Sequence, residues 1–173
     1  IDGERPHEAE FLASWLKPEV TLWVSLGLSH AVQFEQQVKD GLFSSLDKAI
    51  AHEFAMLPQY TQKLVIIDGD VDLMNRALAS IKQKNLTNAE VIKCYKSSLK
   101  SYNVEPNHTS FIIKKSESEE PHEYIFNCPM SKDLAIQLTM LETLVDYLKL
   151  KPHYDFSNIR LAPGRNSYFD GIN

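Results

Sequence analysis

The sequence predicts an α+β domain that is predominantly helical, with a helical bundle-like core and one β-hairpin near residues 109–128. Three features of the chain carry this. Apolar residues recur at i, i+3 and i+4 through several long windows, the spacing that gives a helix one buried stripe. Thr87-Asn88-Ala89-Glu90 has the form of a capping box, in which two side chains satisfy the free backbone donors of a helix start. Residues 109–115 and 122–128 are instead rich in β-branched and aromatic side chains around a polar segment, the pattern of a hairpin.

Taken in order, Pro6 suits the first turn of a helix, and Glu8 and Glu10 suit the positive end of its dipole. Phe11, Leu12, Trp15 and Leu16 then supply an apolar face before Pro18, so residues 6–17 read as helix. Residues 20–28, VTLWVSLGL, read two ways. Alternation and β-branching suggest a strand, whereas continuous hydrophobicity fits a buried helix, the assignment adopted for them. Residues 29–40 carry Val32 and Val38 among polar groups and stop at Gly41. Leu46, Ile50, Phe54 and Leu57 form a further stripe that ends at Pro58.

After the apolar run Val65-Ile66-Ile67, residues 72–84 place Leu73, Met74, Ala77, Leu78 and Ile81 at helical spacing. The capping box starts a helix over residues 87–102, with Val91, Tyr95, Leu99 and Tyr102 on one side and Lys93, Lys96 and Lys100 on another. These two segments are expected to form an antiparallel helical hairpin. Ser131 is placed to cap a long helix, residues 132–150, with Leu134, Leu138, Leu141, Val145 and Leu148 in its stripe. The predicted organisation is a single helical domain with its hairpin over residues 1–152. A C-terminal segment, 153–173, packs on the body or leads to a further domain, because Tyr154, Phe156, Ile159 and Leu161 are too apolar for a free linker.

At 173 residues, with 43% hydrophobic and 24% charged residues, the chain has the size and balance of one folded domain. No apolar run approaches the roughly 18 residues that span a bilayer, and Ile1-Asp2-Gly3-Glu4-Arg5 has no signal-peptide pattern. A soluble, cytoplasmic protein is expected, and the initial Ile suggests a fragment of a larger protein. Cys94 and Cys128 are too few for a disulfide scaffold and lack the close spacing of a zinc site. The net charge of −5 argues against bulk nucleic-acid binding. Lys82, Lys84, Lys93, Lys96 and Lys100 nevertheless concentrate positive charge against the single acid Glu90.

One stretch carries candidate chemistry. In VIIDGDVDL an apolar run breaks into Asp68, Asp70 and Asp72 at alternate positions. Lys63 to Leu73 resembles the Asp-x-Asp motif of haloacid-dehalogenase-like phosphatases, and also that of metal-dependent glycosyltransferases. The resemblance implies a phosphorylated or nucleotide-linked substrate, with Asp68 and Asp70 as a catalytic or metal-binding pair and Mg²⁺ or Mn²⁺ as the cofactor. The same letters also suit a helix start, with Asp70 as the cap and Asp72 in the first turn. Gly-rich phosphate cradles, a nucleophile elbow and His-rich metal spacings are all absent from the sequence.

The leading expectation is a binding or interaction module without a cofactor. Its lysine face, Lys93, Lys96 and Lys100, with Arg165 as a further contributor, would contact an anionic partner: a phospholipid head group at a peripheral membrane surface, a nucleic acid or an acidic protein. The metal-dependent enzyme built on Asp68 and Asp70 is the alternative.

Overall fold

In place of a helical bundle with one hairpin, the chain builds two sheets. The computed structural model describes residues 5–26, 31–84 and 86–159. It divides into two compact units, Ile1–Lys93 and Cys94–Asn173. Seven strands and five α-helices occur among the described residues, so the fold is mixed α/β, which corrects the expectation of a predominantly helical chain.

The first unit is organised by β2 (Leu64–Asp68), all five residues of which are buried. Parallel to it lies β1 (Val20–Trp23), with Val20 opposite Leu64 and Trp23 opposite Ile67. Residues 20–23 are therefore strand, and the helical assignment is corrected. Thr21 and Trp23 are the buried pair of an alternating pattern, so period two prevails over continuous hydrophobicity. β3 (Glu90–Cys94) completes the order β1-β2-β3. Here the expected helix over residues 87–102 fails. Thr87 Oγ1 accepts a hydrogen bond from the Ala89 amide, two residues on, which closes a local turn instead of a capping box. The Glu90 amide then donates to Lys63 O at 2.9 Å, so the β-branched pair Val91-Ile92 extends beside β2.

Helices cover this sheet. α1 (Glu8–Leu16) and α2 (Glu35–Lys39) fall where the sequence places helices, and Gly41 follows α2 at φ +74°, a left-handed position that suits a glycine stop. α3 (Leu46–Tyr60) starts at the Ser45 cap and continues two residues past Pro58. α4 (Asp72–Gln83) lays Met74, Leu78 and Ile81 against Val65, Ile67 and Trp23.

α1 turns a different face inward from the one its large apolar residues suggest. Ala9 and Ala13 are fully buried against Leu57 of α3, while Phe11 is 69% and Trp15 76% exposed. The reason is Glu53. This α3 carboxylate is 4% exposed and accepts the backbone N–H groups of His7 and Ala9, each at 2.8 Å, so it caps α1 from another helix. Small alanines let the two helices approach closely enough for that bond.

In the second unit, β4 (Leu99–Glu105), β5 (His108–Ile113) and β6 (His122–Phe126) form an antiparallel meander, with Phe111 paired to Tyr102 on one side and Tyr124 on the other. β5 and β6 are the predicted hairpin. α5 (Leu134–Tyr147) then crosses to β7 (Asp155–Phe156), which pairs parallel to β6. Phe111, Phe126 and Phe156 form a continuous aromatic core, Phe111 meeting Phe126 edge to face at 5.9 Å and Phe126 stacking on Phe156 at 5.3 Å. Beside it, Glu142 of α5 is buried with Oε1 3.1 Å from His122 Nδ1, and the His122 ring stacks on Tyr154. Lys115 forms an ion pair with Asp146 and lies 3.8 Å from Glu119.

Two outcomes follow for stability. Glu53→Ala leaves two inward-facing amides without an acceptor and is expected to lower the unfolding free energy by about 2–4 kcal/mol, with Glu53→Gln losing less; urea denaturation followed by tryptophan fluorescence reads this, since Trp15 and Trp23 both lie in the first unit. A loss below about 0.5 kcal/mol would refute the capping role.

The second outcome concerns alkali. Burial, with the negative charge of Glu142 nearby, pushes the Tyr124 phenol well above its ordinary value. For Lys115 burial acts downward, but the hydrogen bond and charge of Asp146, with Glu119 and Glu142, raise it overall. Both groups hold their protons more tightly folded than unfolded. Their contribution is complete below the unfolded values, about 10 for Tyr and 10.4 for Lys, and is lost as pH rises past them. The second unit should therefore lose stability above about pH 10, and Tyr124→Phe should flatten that fall in denaturation curves followed by tyrosine signals. An unchanged slope in the variant would assign the alkaline loss elsewhere.

Candidate functional site

The site with chemistry in it lies where β2 ends. Asp68 closes the strand and is 5% exposed. Its Oδ1 accepts the Asp70 amide at 2.9 Å, so the carboxylate folds the chain into a tight turn through Gly69. The Val71 amide donates to Asp68 O, and α4 begins one residue later. Val71 stands at the cap position with no side-chain bond, which corrects the expectation that Asp70 caps the helix. Asp70 comes one residue too early, and its amide is already held by Asp68. Asp72 does lie in the first turn, where it pairs with Arg76 one turn on.

Asn75 braces the turn from inside α4. Its Nδ2 donates to Gly69 O and Val71 O, both at 2.9 Å, while its Oδ1 is buried without a hydrogen-bond partner among the described residues. A lone Asn in mid-helix reads as a surface residue in sequence, so nothing marked it in advance. Only the return of the strand turn onto the second helical turn shows its role.

The arrangement presents carboxylates at the carboxyl end of a buried parallel strand, beside a helix start. Ligands of open α/β sheets settle at this edge. Exposed Asp70 and Asp72 make it an acceptor surface suited to hydroxyl or amino groups, and they oppose a phosphate that would otherwise sit at a helix N-terminus. Among the described residues no group of three or more His, Cys, Asp or Glu converges, so the turn is not an all-protein metal cage. Mg²⁺ is ordinarily held by one or two carboxylates with waters and phosphate oxygens, and here one Asp68 oxygen is committed to the turn, which leaves the other and the Asp70 carboxylate as the groups that would hold it. No step is assigned through Mg²⁺ or Mn²⁺.

The lysine face is not a helix face. Lys93 stands on β3 in the first unit. Lys96 sits in a short 3₁₀ turn (Lys96–Ser98), and Lys100 stands on β4 with Glu117 3.7 Å away, both in the second unit. Sheet pairing of residues 90–94 and 99–105 replaces the 3.6-residue period that would have gathered the three. Lys96 shares a recess of about 370 Å³ with Lys132 and the start of α5. Arg165 lies outside the described residues.

No protein-family model matches the chain, and no curated protein does. Solved structures do. MurF ligase from Thermotoga maritima, in complex with ADP, is similar over 94% of this chain and 35% of its own, at 13% identity and a TM-score of 0.68. MurF from Acinetobacter baumannii is similar over 97% of this chain and 35% of its own, at 10% identity and a TM-score of 0.71. A UDP-N-acetylmuramoylalanyl-D-glutamyl-2,6-diaminopimelate--D-alanyl-D-alanyl ligase from Acinetobacter baumannii matches 82% of this chain and 29% of its own, at 10% identity and a TM-score of 0.56. This chain thus spans about a third of the length of the ligases it resembles, and what it shares with them is the fold. No helix among the described residues is long and apolar enough to cross a membrane.

Proposed function

We propose that this chain is the nucleotide-recognising part of a ligase-like enzyme acting on a nucleotide-linked substrate. The observation that carries this is the acidic turn Asp68-Gly69-Asp70 at the carboxyl end of a buried parallel strand, in a fold shared with a MurF ligase solved with ADP. The reading keeps the predicted chemistry of a nucleotide-linked substrate and moves its basis. Asp68 builds the turn, Asn75 holds it to α4, and Asp70 offers acceptor oxygens to the ligand.

We assign this turn to the nucleoside end of the ligand. Ribose hydroxyls and an exocyclic amine are donors that a carboxylate accepts, whereas a phosphate would be opposed by the charge of Asp70, Asp72 being paired with Arg76. The module reading, an anionic partner on a lysine-rich helix, loses its geometry because the helix is absent. Lys96 and Lys100 keep their exposure, and no second observation gathers Lys93 with them.

Thermal melts with adenosine, ADP and pyrophosphate test the assignment. Adenosine and ADP at about a hundred times their Kd should each stabilise the fold by about 2.7 kcal/mol, and pyrophosphate should not. Asp70→Asn removes the charge offered to the ligand and should weaken adenosine binding about tenfold, the equivalent of one charged hydrogen bond, whereas Asp68→Asn keeps an oxygen that can accept the Asp70 amide and should weaken it far less. A shift given by pyrophosphate and not by adenosine would refute the nucleoside assignment. Absence of any shift at about 5 mM of all three probes, with or without Mg²⁺, would remove the nucleotide reading.

A further inference from the structure

A groove of about 450 Å³ runs along the first unit between α3 and α4 and does not include Asp68, Gly69 or Asp70 in its lining. Ala51, Ala55 and Met56 of α3 and Leu73, Ala77 and Ile81 of α4 line it. The alanines create the space. Ala51 and Ala55 are each 2% exposed and lie at its floor, and the short side chain of the half-buried Ala77 leaves the recess open on the α4 side. The volume falls within the range of about 300–1,000 Å³ of small-molecule sites.

The charge around it runs against that of its surroundings. Residues 1–86 hold eight Lys and Arg against twelve Asp and Glu, yet the groove is edged by Lys48, Arg76 and Lys84, with Glu10 as the one acid on its lining. The cations are unequally engaged. Arg76 pairs with Asp72, and Lys48 donates to the neutral Ser44 hydroxyl at 2.8 Å. Lys84 has no ion-pair partner among the described residues. Glu10 is 3.5 Å from His7 Nδ1. An apolar slot with an unneutralised cationic edge complements a molecule with an aliphatic tail and one carboxylate.

We infer that the groove between α3 and α4 binds a medium-chain aliphatic carboxylate, with the tail among Ala51, Ala55, Ala77 and Ile81 and the head group at the lysine edge. The occupant is aliphatic because Met, Leu, Ile and Ala supply most of the apolar lining, whose two aromatic rings, Phe43 and His52, pack on each other with centroids 5.1 Å apart. It is a small molecule because a groove of about 450 Å³ suits one short chain rather than a protein helix. The site is separate from the nucleotide proposal, and either can fail without the other.

Decanoate, decanol and decylammonium, titrated by calorimetry into the full chain below their micellar range, provide the test. Decanoate should bind saturably with one site per chain. Decanol, of equal length but neutral, should bind about tenfold more weakly, and decylammonium more weakly still. Ala77→Leu fills the groove and should weaken decanoate about tenfold or more with the circular dichroism unchanged. Lys48→Glu with Lys84→Glu, both at the surface and safe for folding, should erase the preference of decanoate over decanol. Equal binding of all three probes, or affinity unchanged in both variants, would overturn the proposal. So would a concentration-dependent dimer that Ala77→Leu dissolves, because the groove would then belong to a second copy of this chain.

Discussion

A strand with no exposed residue must be covered on both faces, and in the first unit that requirement sets the position of nearly every other element. Leu64 to Ile67 each contribute a buried aliphatic side chain, roughly 1.5–3 kcal/mol apiece relative to an exposed one. Their alternation sends Val65 and Ile67 toward α4. A parallel neighbour such as β1 cannot be reached by a tight turn, so the chain between β1 and β2 must cross over as helix, and α2 and α3 are that crossover. The same full burial explains why the strand ends in a turn built from its own last side chain. Once Asp68 leaves the sheet ladder its carboxylate needs a donor, and the nearest is the Asp70 amide.

From this scaffold the functional geometry follows locally. Turn, bracing Asn75 and helix start are contiguous in sequence, so the acidic edge forms from residues 68 to 75 alone once β2 is buried. The groove is different in kind, because Lys48 and Lys84 meet only through the packing of α3 against α4. The two sites share α4. Arg76 lines the groove and is held by Asp72 at the start of that helix, and its engagement with Asp72 tempers the negative potential at the turn.

Polar groups buried off the main sites do structural work of a recognisable sort. Glu53 replaces the missing cap of α1 and thereby decides which face of α1 is buried, overriding the pull of Phe11 and Trp15. Thr109 Oγ1 on β5 donates to Cys128 O and accepts from the Met130 amide, fastening the segment between β6 and α5 to β5. In each case one side chain satisfies backbone groups that the secondary structure leaves over.

By itself the sequence determined the elements whose period is unambiguous. α1, α3, α4, α5 and the β5–β6 hairpin are legible from apolar spacing and turn composition, and so are the apolar run 65–67 and the carboxylates that follow it, whereas the caps expected at Asp70, Thr87 and Ser131 are not the caps that form. The tertiary structure decided the rest. Residues 20–23 and 90–94 join a sheet because a buried β2 offers them a hydrogen-bonding edge, an interaction between segments some 40 and 25 residues apart that no local window contains. The capping box at Thr87 gave way to that pairing, and with it went the lysine helix face. Asn75 and Glu53 look like surface polar residues in one dimension. They acquire their roles from what folds against them, since a hydrogen bond between distant segments leaves no periodicity to read.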